Sequence, residues 1–316
     1  MFSVVIPVFN KRHTLARVVR TVLAQALRPF ELILVDDGST DGSLDCVAAV
    51  DDPRLRRLSQ ANAGPGPARN AGIAAARNEW VALLDADDLW APDHLEELDR
   101  VRSRHPEASL IGTASAIATL DRAEAVLLGL GGARRGRIES VDLIAAFGRA
   151  ERPLFTSSAA LRKTAWAEAG GFRGHPTGQD RDFFVRLALA GPVAISDRAT
   201  AVAVYRTGGI SDRRASRPRP RPPERLEDLA PSVRTLLEAR PHADPARRRS
   251  IDAYVRCYLH WSAQEAARAH DVATLRALRA LYGPPVRGRD RLPLAAAALP
   301  EAAARGALRL LYPRRA

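Results

Sequence analysis

The chain has 316 residues, 46% of them apolar and 27% charged, with only two cysteines. This is globular composition, enough for one large domain or a domain with an extension. Cys46 and Cys257 stand alone, with no CxxC or Cys/His cluster, which excludes a disulfide framework and a cysteine-based zinc module and fits a reducing compartment. The formal net charge is +12, unevenly placed: residues 1–210 carry 26 basic and 25 acidic side chains, residues 211–316 carry 22 and 11. Almost every basic residue is Arg; Lys11 and Lys163 are the only lysines. The apolar stretches are far shorter than the roughly 20 residues of a membrane-spanning helix. The strand-like opening "FSVVIPVF" leaves no place for a basic leader and cleavage site, so a cytoplasmic location is expected.

The first two hundred residues alternate strand and helix signals. "SVVIPVF" is a short β-branched run, and Leu15, Val18, Val19, Val22 and Leu23 then fall on one helical face within residues 11–27. "FELILVDD" is the next strand. "STDGSLDCVAAV" predicts a helix with Ser39, Thr40 or Asp41 as its N-cap. "LRRLSQ" reads as a strand, "GPGPARNAGIAAARN" as a turn entering an Ala-rich helix, and "WVALLDADD" as a strand ending in acids. A helix opened by Pro92 follows. Weaker strands are expected near 109–117 and 154–161, helices near 163–169 and 180–190, and a last strand over 199–206. Such alternation predicts a mixed, mainly parallel sheet flanked by helices. Residues 211–224, "SDRRASRPRPRPPE", read as an extended linker. Beyond it, 225–239, 246–269 and 271–282 read as helices of a basic C-terminal extension. The expected organisation is therefore a domain over 1–210, a linker over 211–224 and a helical extension over 225–316.

Two strands end in acids, at Asp36-Asp37 and at Asp85-Ala86-Asp87-Asp88. Acids at strand ends also serve as turn-formers or helix caps. In an open α/β sheet, however, ligands bind at the carboxyl ends of strands, where the strand order reverses. An Asp-X-Asp there can offer hard oxygens to Mg2+ or Mn2+. Such a cation would relieve the mutual repulsion of the carboxylates and neutralise a diphosphate leaving group. A second acid pair can hydrogen-bond a base edge or a ribose hydroxyl. Neither GxxxxGK[ST] nor a GxGxxG after the first strand is present.

The segments "SVVIPVFN", "LILVDDGSTDGS", "ANAGPGPARNAGIAAA" and "WVALLDADD", in this order and spacing, resemble the N-terminal half of the family 2 glycosyltransferases of GT-A fold. The similarity covers about residues 2–100 and continues more weakly through "AWAEAGGF", "GQDRDFFVRLA" and "VYRTGGIS" to about 211. The resemblance implies a nucleotide-sugar donor, Mn2+ or Mg2+, and inverting transfer to a saccharide or lipid-linked acceptor in polysaccharide or glycoconjugate assembly. It implies that Pro7, Val8 and Asn10 line the nucleotide pocket and that Asp37 faces the base with Asp36 beside it. Asn62, Gly64, Arg69 and Asn70 would sit beside the nucleotide-sugar. Asp85 would reach the ribose or sugar, with Ala86 next to it, and Asp87 would bind the metal with Asp88 in support. The catalytic base would be Asp180.

The chain departs from the family's pattern at two places. Gln179 stands where a Glu usually precedes the base, which leaves the neighbouring Asp182 as an alternative base. Gly208 or Gly209 stands where relatives carry a His after Tyr-Arg, with Arg206 as a candidate diphosphate contact. Trp80, Trp90 and Trp166 read as core or rim, with Trp90 alternatively packing against a sugar; His175 reads as an exposed loop residue or as part of the acceptor side. Trp261 with Tyr254 and Tyr258 reads as the apolar face of a C-terminal helix.

The tail has three readings. It is a solvated extension, a peripheral membrane contact in which Leu308, Leu311 and Tyr312 share a face flanked by Arg305 and Arg309, or a nucleic-acid binder. The last lacks interleaved aromatics and any recognisable module, so no nucleic acid is expected. Among competing functions, a catalytically weak nucleotide-sugar-binding protein is the runner-up. A phospho-acceptor signalling domain would need a Lys nearer than Lys163, and a nucleotidyltransferase a Gly-rich basic loop where "IPVFNKRHT" stands.

Overall fold

The computed structural model describes residues 1–130, 135–174, 178–205, 230–282 and 298–311. The described part divides into two compact units. One gathers Met1–Leu143 with the described part of Arg152–Arg214; the other gathers Ile144–Glu151 with the described part of Ala215–Ala316.

The first unit is built on one mixed sheet. Four parallel strands form its first half: β1 (Phe2–Val8), β2 (Phe30–Asp36), β3 (Leu55–Ser59) and β4 (Trp80–Leu83), in the order β3-β2-β1-β4. β1, β2 and β4 are buried and read as near-continuous apolar runs, as doubly covered parallel strands do, whereas β3, LRRLS, is the partly exposed edge. The chain steps from β1 outward to β2 and β3, then returns to the other side of β1 as β4. That reversal puts a topological switch point beside β1, with the carboxyl ends of β1, β2 and β4 on one edge. Asp37 N donates to Val8 O (2.8 Å) and Leu84 N to Val5 O (3.1 Å), which fixes the registry of these ends.

The sheet continues through β8 (Ala159–Arg162), β6 (Leu110–Thr119), β9 (Val193–Tyr205) and β5 (Leu89–Trp90), with β7 (Ile138–Ser140) pairing β9. The strand expected over 199–206 is thus the second half of a longer one. β6 and β9 run parallel through two register shifts around Ala114.

Helix α1 (Leu15–Leu23) buries Leu15, Val18, Val19 and Val22, as its spacing predicts. Helix α2 (Pro65–Ala75) lies close on β1 and β2 because residue 72 is glycine: a Cβ there would fall 2.4 Å from Val5 Cγ1 and 3.1 Å from Val35 Cγ2. The unit is completed by α3 (His94–Arg104), α4 (Ala123–Leu130), α6 (Lys163–Glu168) and α7 (Gln179–Ala190).

The helix expected after Ser39 does not form; only one 3-10 turn, Asp45–Val47, stands there. Asp41 is spent on a local turn, accepting from Ser43 N (2.9 Å) and Arg12 N (3.0 Å), and Gly42 takes φ +73°, which breaks a right-handed helix. Trp90 belongs to the core rather than to a sugar site: it is buried, donates its indole N–H to Ser157 O (2.5 Å) and stacks on His94 at 4.2 Å. Burial holds His94 down to a pKa of about 3, so the ring is neutral. Trp80 is buried beneath Arg162, 5.0 Å from its ring centre.

The second unit is helical: the end of α5 (Leu143–Gly148), α8 (Pro231–Ala239), α9 (Pro245–Arg268), α10 (Val272–Tyr282) and α11 (Glu301–Leu311). Tyr254 anchors it, meeting Phe147 edge-on at 6.3 Å and donating to Ser232 Oγ at 2.8 Å. Gly148 allows the close approach of α5 to α9: a Cβ there would lie 2.8 Å from Tyr254 N. Trp261 leaves the apolar face assigned to it and is exposed. Leu308 is fully buried and Arg305 pairs with Glu301 at 2.6 Å, whereas Leu311 is exposed, so only part of the apolar face of α11 packs inside the unit. The linker 211–224, Tyr312, Arg314 and Arg315 lie outside the described residues, as do His175, Arg206, Gly208 and Gly209, and the Arg309 side chain is likewise not described.

Candidate active site

The first unit brings the expected residues to one edge of its sheet, in three groups. The first is the pair of loops after β1 and β2. Val8 turns its side chain into the core, whereas Pro7 is half-buried at the strand end. Asn10, at φ 53°, takes Thr40 N on its side-chain oxygen (2.9 Å), and its own N–H goes to Ser39 Oγ (3.2 Å). Asp36 Oδ1 accepts Ser39 N (3.1 Å), and Asp36 keeps part of its surface open.

Asp37 differs from the base contact that the resemblance implies. It is buried, and its carboxylate accepts Gln60 Nε2 (2.7 Å), Ala63 N (2.9 Å) and Gly64 N (2.8 Å). Three of its roughly four acceptor positions are filled. Asp37 therefore shapes the loop that feeds α2. Gly64 enters that helix at φ +94°, a conformation open to glycine, and Asn62 is exposed on the same loop.

The second group is the acid turn after β4. Asp85 and Asp87 are half-buried, Ala86 and Asp88 buried. Asp85 pairs with Arg69 of α2 at 2.5 Å, and Asp87 pairs with Lys11. Ser157 ties the turn together, accepting Asp85 N (3.0 Å) and donating to Asp88 Oδ2 (2.5 Å); Val204 N donates to Asp88 Oδ1 (2.7 Å). Burial, then the charges of Asp85 and Asp87, push the Asp88 carboxyl up to about 7 against those hydrogen bonds.

The third group is α7 and the segment before it. Asp180 is exposed in the first turn of α7. Asp182 is fully buried and bound to Arg186 (2.8 and 3.1 Å), whose Nη1 also donates to Gly171 O (2.7 Å). An acid so placed cannot reach a substrate, which removes the alternative base. Asn70 of α2 clamps this segment: its oxygen accepts Phe172 N (2.8 Å) and Trp166 Nε1 (3.0 Å), and its Nδ2 donates to Phe172 O (2.8 Å). Arg69 also lies over the Phe172 ring at 5.3 Å. Gly66, one turn earlier, makes room for Gln179: a Cβ there would fall 2.4 Å from Gln179 Oε1. Helix α2 thus carries Asp37's loop at its start, Asp85's partner in its middle and the lead-in to Asp180 along one side.

Sequence reasoning missed Ser157, Gln60 and the pairing role of Lys11. Ser157 and Gln60 carry no motif. Lys11 had one signal, its rarity in a chain that otherwise uses Arg.

The donor set suits a hard divalent cation. Asp85 and Asp87 present carboxylate oxygens, and Asp88 lies buried behind them, raised first by that burial and then by their charges. Among the described residues, no group of three or more His, Cys, Asp or Glu is arranged to hold an ion unaided. Mg2+-type sites commonly use one or two carboxylates and complete the shell with water and substrate phosphates.

Residues 3–119 match the family described as Glycosyl transferase family 2. Similar sequences include the succinoglycan biosynthesis protein ExoO of Rhizobium meliloti, 44% identical over 95 residues, which are 30% of this chain and 27% of that protein. The glycosyltransferase GlyG of Streptococcus pneumoniae is 39% identical over 101 residues, 31% of this chain and 34% of its own. The matched stretch thus spans about a quarter to a third of these relatives' length. Among solved structures, residues 1–349 of S. aureus TarS with UDP-GlcNAc superpose with TM-score 0.68 at 18% identity, covering 98% of this chain and 90% of that one. The mannosyltransferase PcManGT of Pyrobaculum calidifontis, with GDP-Man and Mn2+, gives 0.59 at 20% identity over 99% and 81%. Taken with the sheet order and the acid turn, these matches show that the chain carries a family 2 glycosyl transferase domain over residues 3–119, within the GT-A glycosyltransferase fold.

Proposed function

We propose that the chain is an inverting glycosyltransferase that moves a sugar from a nucleotide-diphospho-sugar to an acceptor hydroxyl. The observation that carries this reading is the acid turn: three carboxylates gathered at the switch point, one of them buried and raised to about 7. Carboxylates clustered at a strand end would suit a divalent cation that offsets the charge of a diphosphate.

In this reading Asp87 holds Mn2+ or Mg2+, with Asp88 behind it and Asp85 toward the ribose or sugar. When bound, the cation stabilises charge on the departing diphosphate. The chain's own residues do the remainder. Asp36, Asn10, Asn62 and the loop held by Asp37 and Gly64 frame the nucleoside. Arg69 orients Asp85. Asp180 takes the proton from the acceptor hydroxyl as its oxygen attacks the anomeric carbon from the face opposite the diphosphate. General-base assistance contributes ~10²–10⁴-fold. Positioning supplies much of the rest.

The neighbours' UDP-GlcNAc and GDP-Man support a nucleotide-sugar donor while differing in base and sugar, and the likeness to a succinoglycan biosynthesis protein supports a place in polysaccharide assembly, for which the acceptor we propose is a saccharide or lipid-linked one. We place the protein on the cytoplasmic side. Among the described residues no helix is long and apolar enough to cross a membrane. The excess positive charge of residues 211–316 suits peripheral contact with an anionic leaflet, at about 1 kcal/mol per basic residue near the surface. Leu308 has no part in that contact, being buried.

A panel of UDP-, GDP- and dTDP-sugars, with and without Mn2+, tests the proposal by thermal stabilisation. At a hundredfold excess over Kd, binding adds ~2.7 kcal/mol. At least one donor should stabilise the chain only when Mn2+ is present. No metal-dependent shift with any of them would contradict the reading.

A further inference from the structure

The two lysines have unlike settings. Lys163 donates to backbone carbonyls, Ala74 O at 3.0 Å and Ala76 O at 2.6 Å. Lys11 places its ammonium on Asp87, the carboxylate assigned above to the cation. The loop around Lys11 is pinned. Its N–H donates to Ser43 Oγ (2.7 Å), and its carbonyl accepts Thr14 N (3.0 Å) and Leu15 N (2.9 Å). Thr14 Oγ1 in turn donates to Ala86 O (2.7 Å), inside the acid turn. The loop after β1 and the turn after β4 are therefore stitched together beside the ion pair. The two side chains keep 28% and 23% of their surface, so the pair is partly shielded yet open to an incoming ligand.

A divalent cation arriving alone at Asp87 meets an ammonium already there. A diphosphate changes the balance, because it supplies negative charge to which the ammonium can turn. A lysine suits this exchange: it is a point charge on a flexible stem, whereas an arginine fork would hold the carboxylate bidentately.

We propose that Lys11 is a resident counter-cation on Asp87, released to the diphosphate as the divalent cation takes its place. Metal and nucleotide then enter as a coupled pair, and the metal alone binds weakly. The proposal rests on the reading of Asp87 as the cation's ligand. Linkage makes the coupling reciprocal: what Lys11 withholds from the lone cation it returns when diphosphate is present.

The test is Mn2+ binding by the full chain, read from the free-ion EPR signal, with and without inorganic pyrophosphate and, separately, UDP. In the native protein either anion should tighten Mn2+ binding by about tenfold or more. Lys11→Met should bind Mn2+ alone at least about fivefold more tightly, with the coupling reduced by the same factor. Lys11→Arg should bind the lone ion no better than the native protein, and Lys163→Met should match it throughout; circular dichroism checks that each variant is folded. If folded Lys11→Met binds the lone ion as weakly as the native chain, Lys11 is not the competitor and the inference fails. If Lys11→Met does not fold, Lys11→Arg decides: lone-ion binding tighter than native overturns the inference, and equal or weaker binding supports it. If no protein binds Mn2+ under any condition, the assignment of Asp87 fails first and takes the inference with it.

Discussion

Asp180→Asn is expected to lower turnover about 10²–10⁴-fold while leaving donor affinity within a small factor of the native value. The substitution keeps the size of the side chain and removes only its ability to take a proton. Asp180 is the proposed base, and the different settings of the two acids in α7 support it over Asp182. Asp180 and Asp182 lie two residues apart in the first turn of α7, but Asp180 is exposed while Asp182 is fully buried on Arg186. Asp182→Asn should therefore act on stability: it leaves a buried guanidinium without its carboxylate, a loss of about 3–5 kcal/mol for a broken buried pair. Nucleoside diphosphate release, donor affinity and thermal unfolding of both variants check this. A fall in turnover with intact stability at 182, or unaffected turnover at 180, would reverse the assignment.

Asn70→Ala is expected to lower kcat by up to about 10²-fold with little change in donor KM. Asn70 uses its amide on both backbone groups of Phe172 and on the Trp166 indole, and so holds the chain at Phe172, eight positions before Asp180 in sequence. Removing it strands the Phe172 N–H and the Trp166 indole N–H and also costs about 1–3 kcal/mol of stability for each buried group left unpaired. Asn70→Asp keeps the acceptor and loses the donor, so it should fall between the two. Steady-state kinetics with unfolding curves separate a positioning loss from a general loss of fold. A rise in donor KM equal to the fall in kcat/KM would instead place Asn70 in direct contact with the donor.

Much of this arrangement was legible in the sequence because the first half of the sheet obeys local rules. The apolar spacing of Leu15, Val18, Val19 and Val22 marked α1, and the acids after "LILV" and "VALL" marked the strand ends at the switch point. The prediction failed where a side chain was spent on its neighbours instead of on a helix, as at Asp41 with Ser43 and Arg12. It failed again where the partner is remote. Ser157 meets Asp85 and Asp88 across about seventy positions, and no local pattern announces it. Asp37 looked like a ligand by position, but its acceptor capacity goes to Gln60, Ala63 and Gly64. The choice between Asp180 and Asp182 did have a signal: Arg186 lies one helical turn beyond Asp182 and none lies so beyond Asp180, where residue 184 is Phe. In the second unit, the expected aromatic face of α9 was only partly right. Tyr254 is its anchor, while Trp261 lies on the turn that faces outward.

The account depends on the carboxylates after β4 holding a cation that engages a diphosphate. Manganese anomalous scattering from a crystal grown with Mn2+ and a stabilising sugar nucleotide measures this most directly. The account predicts a manganese peak in contact with an Asp87 oxygen and with diphosphate oxygens, and the Lys11 ammonium moved from Asp87 to the phosphates. Diphosphate bound with no manganese at Asp87, and Lys11 still on that carboxylate, would contradict it.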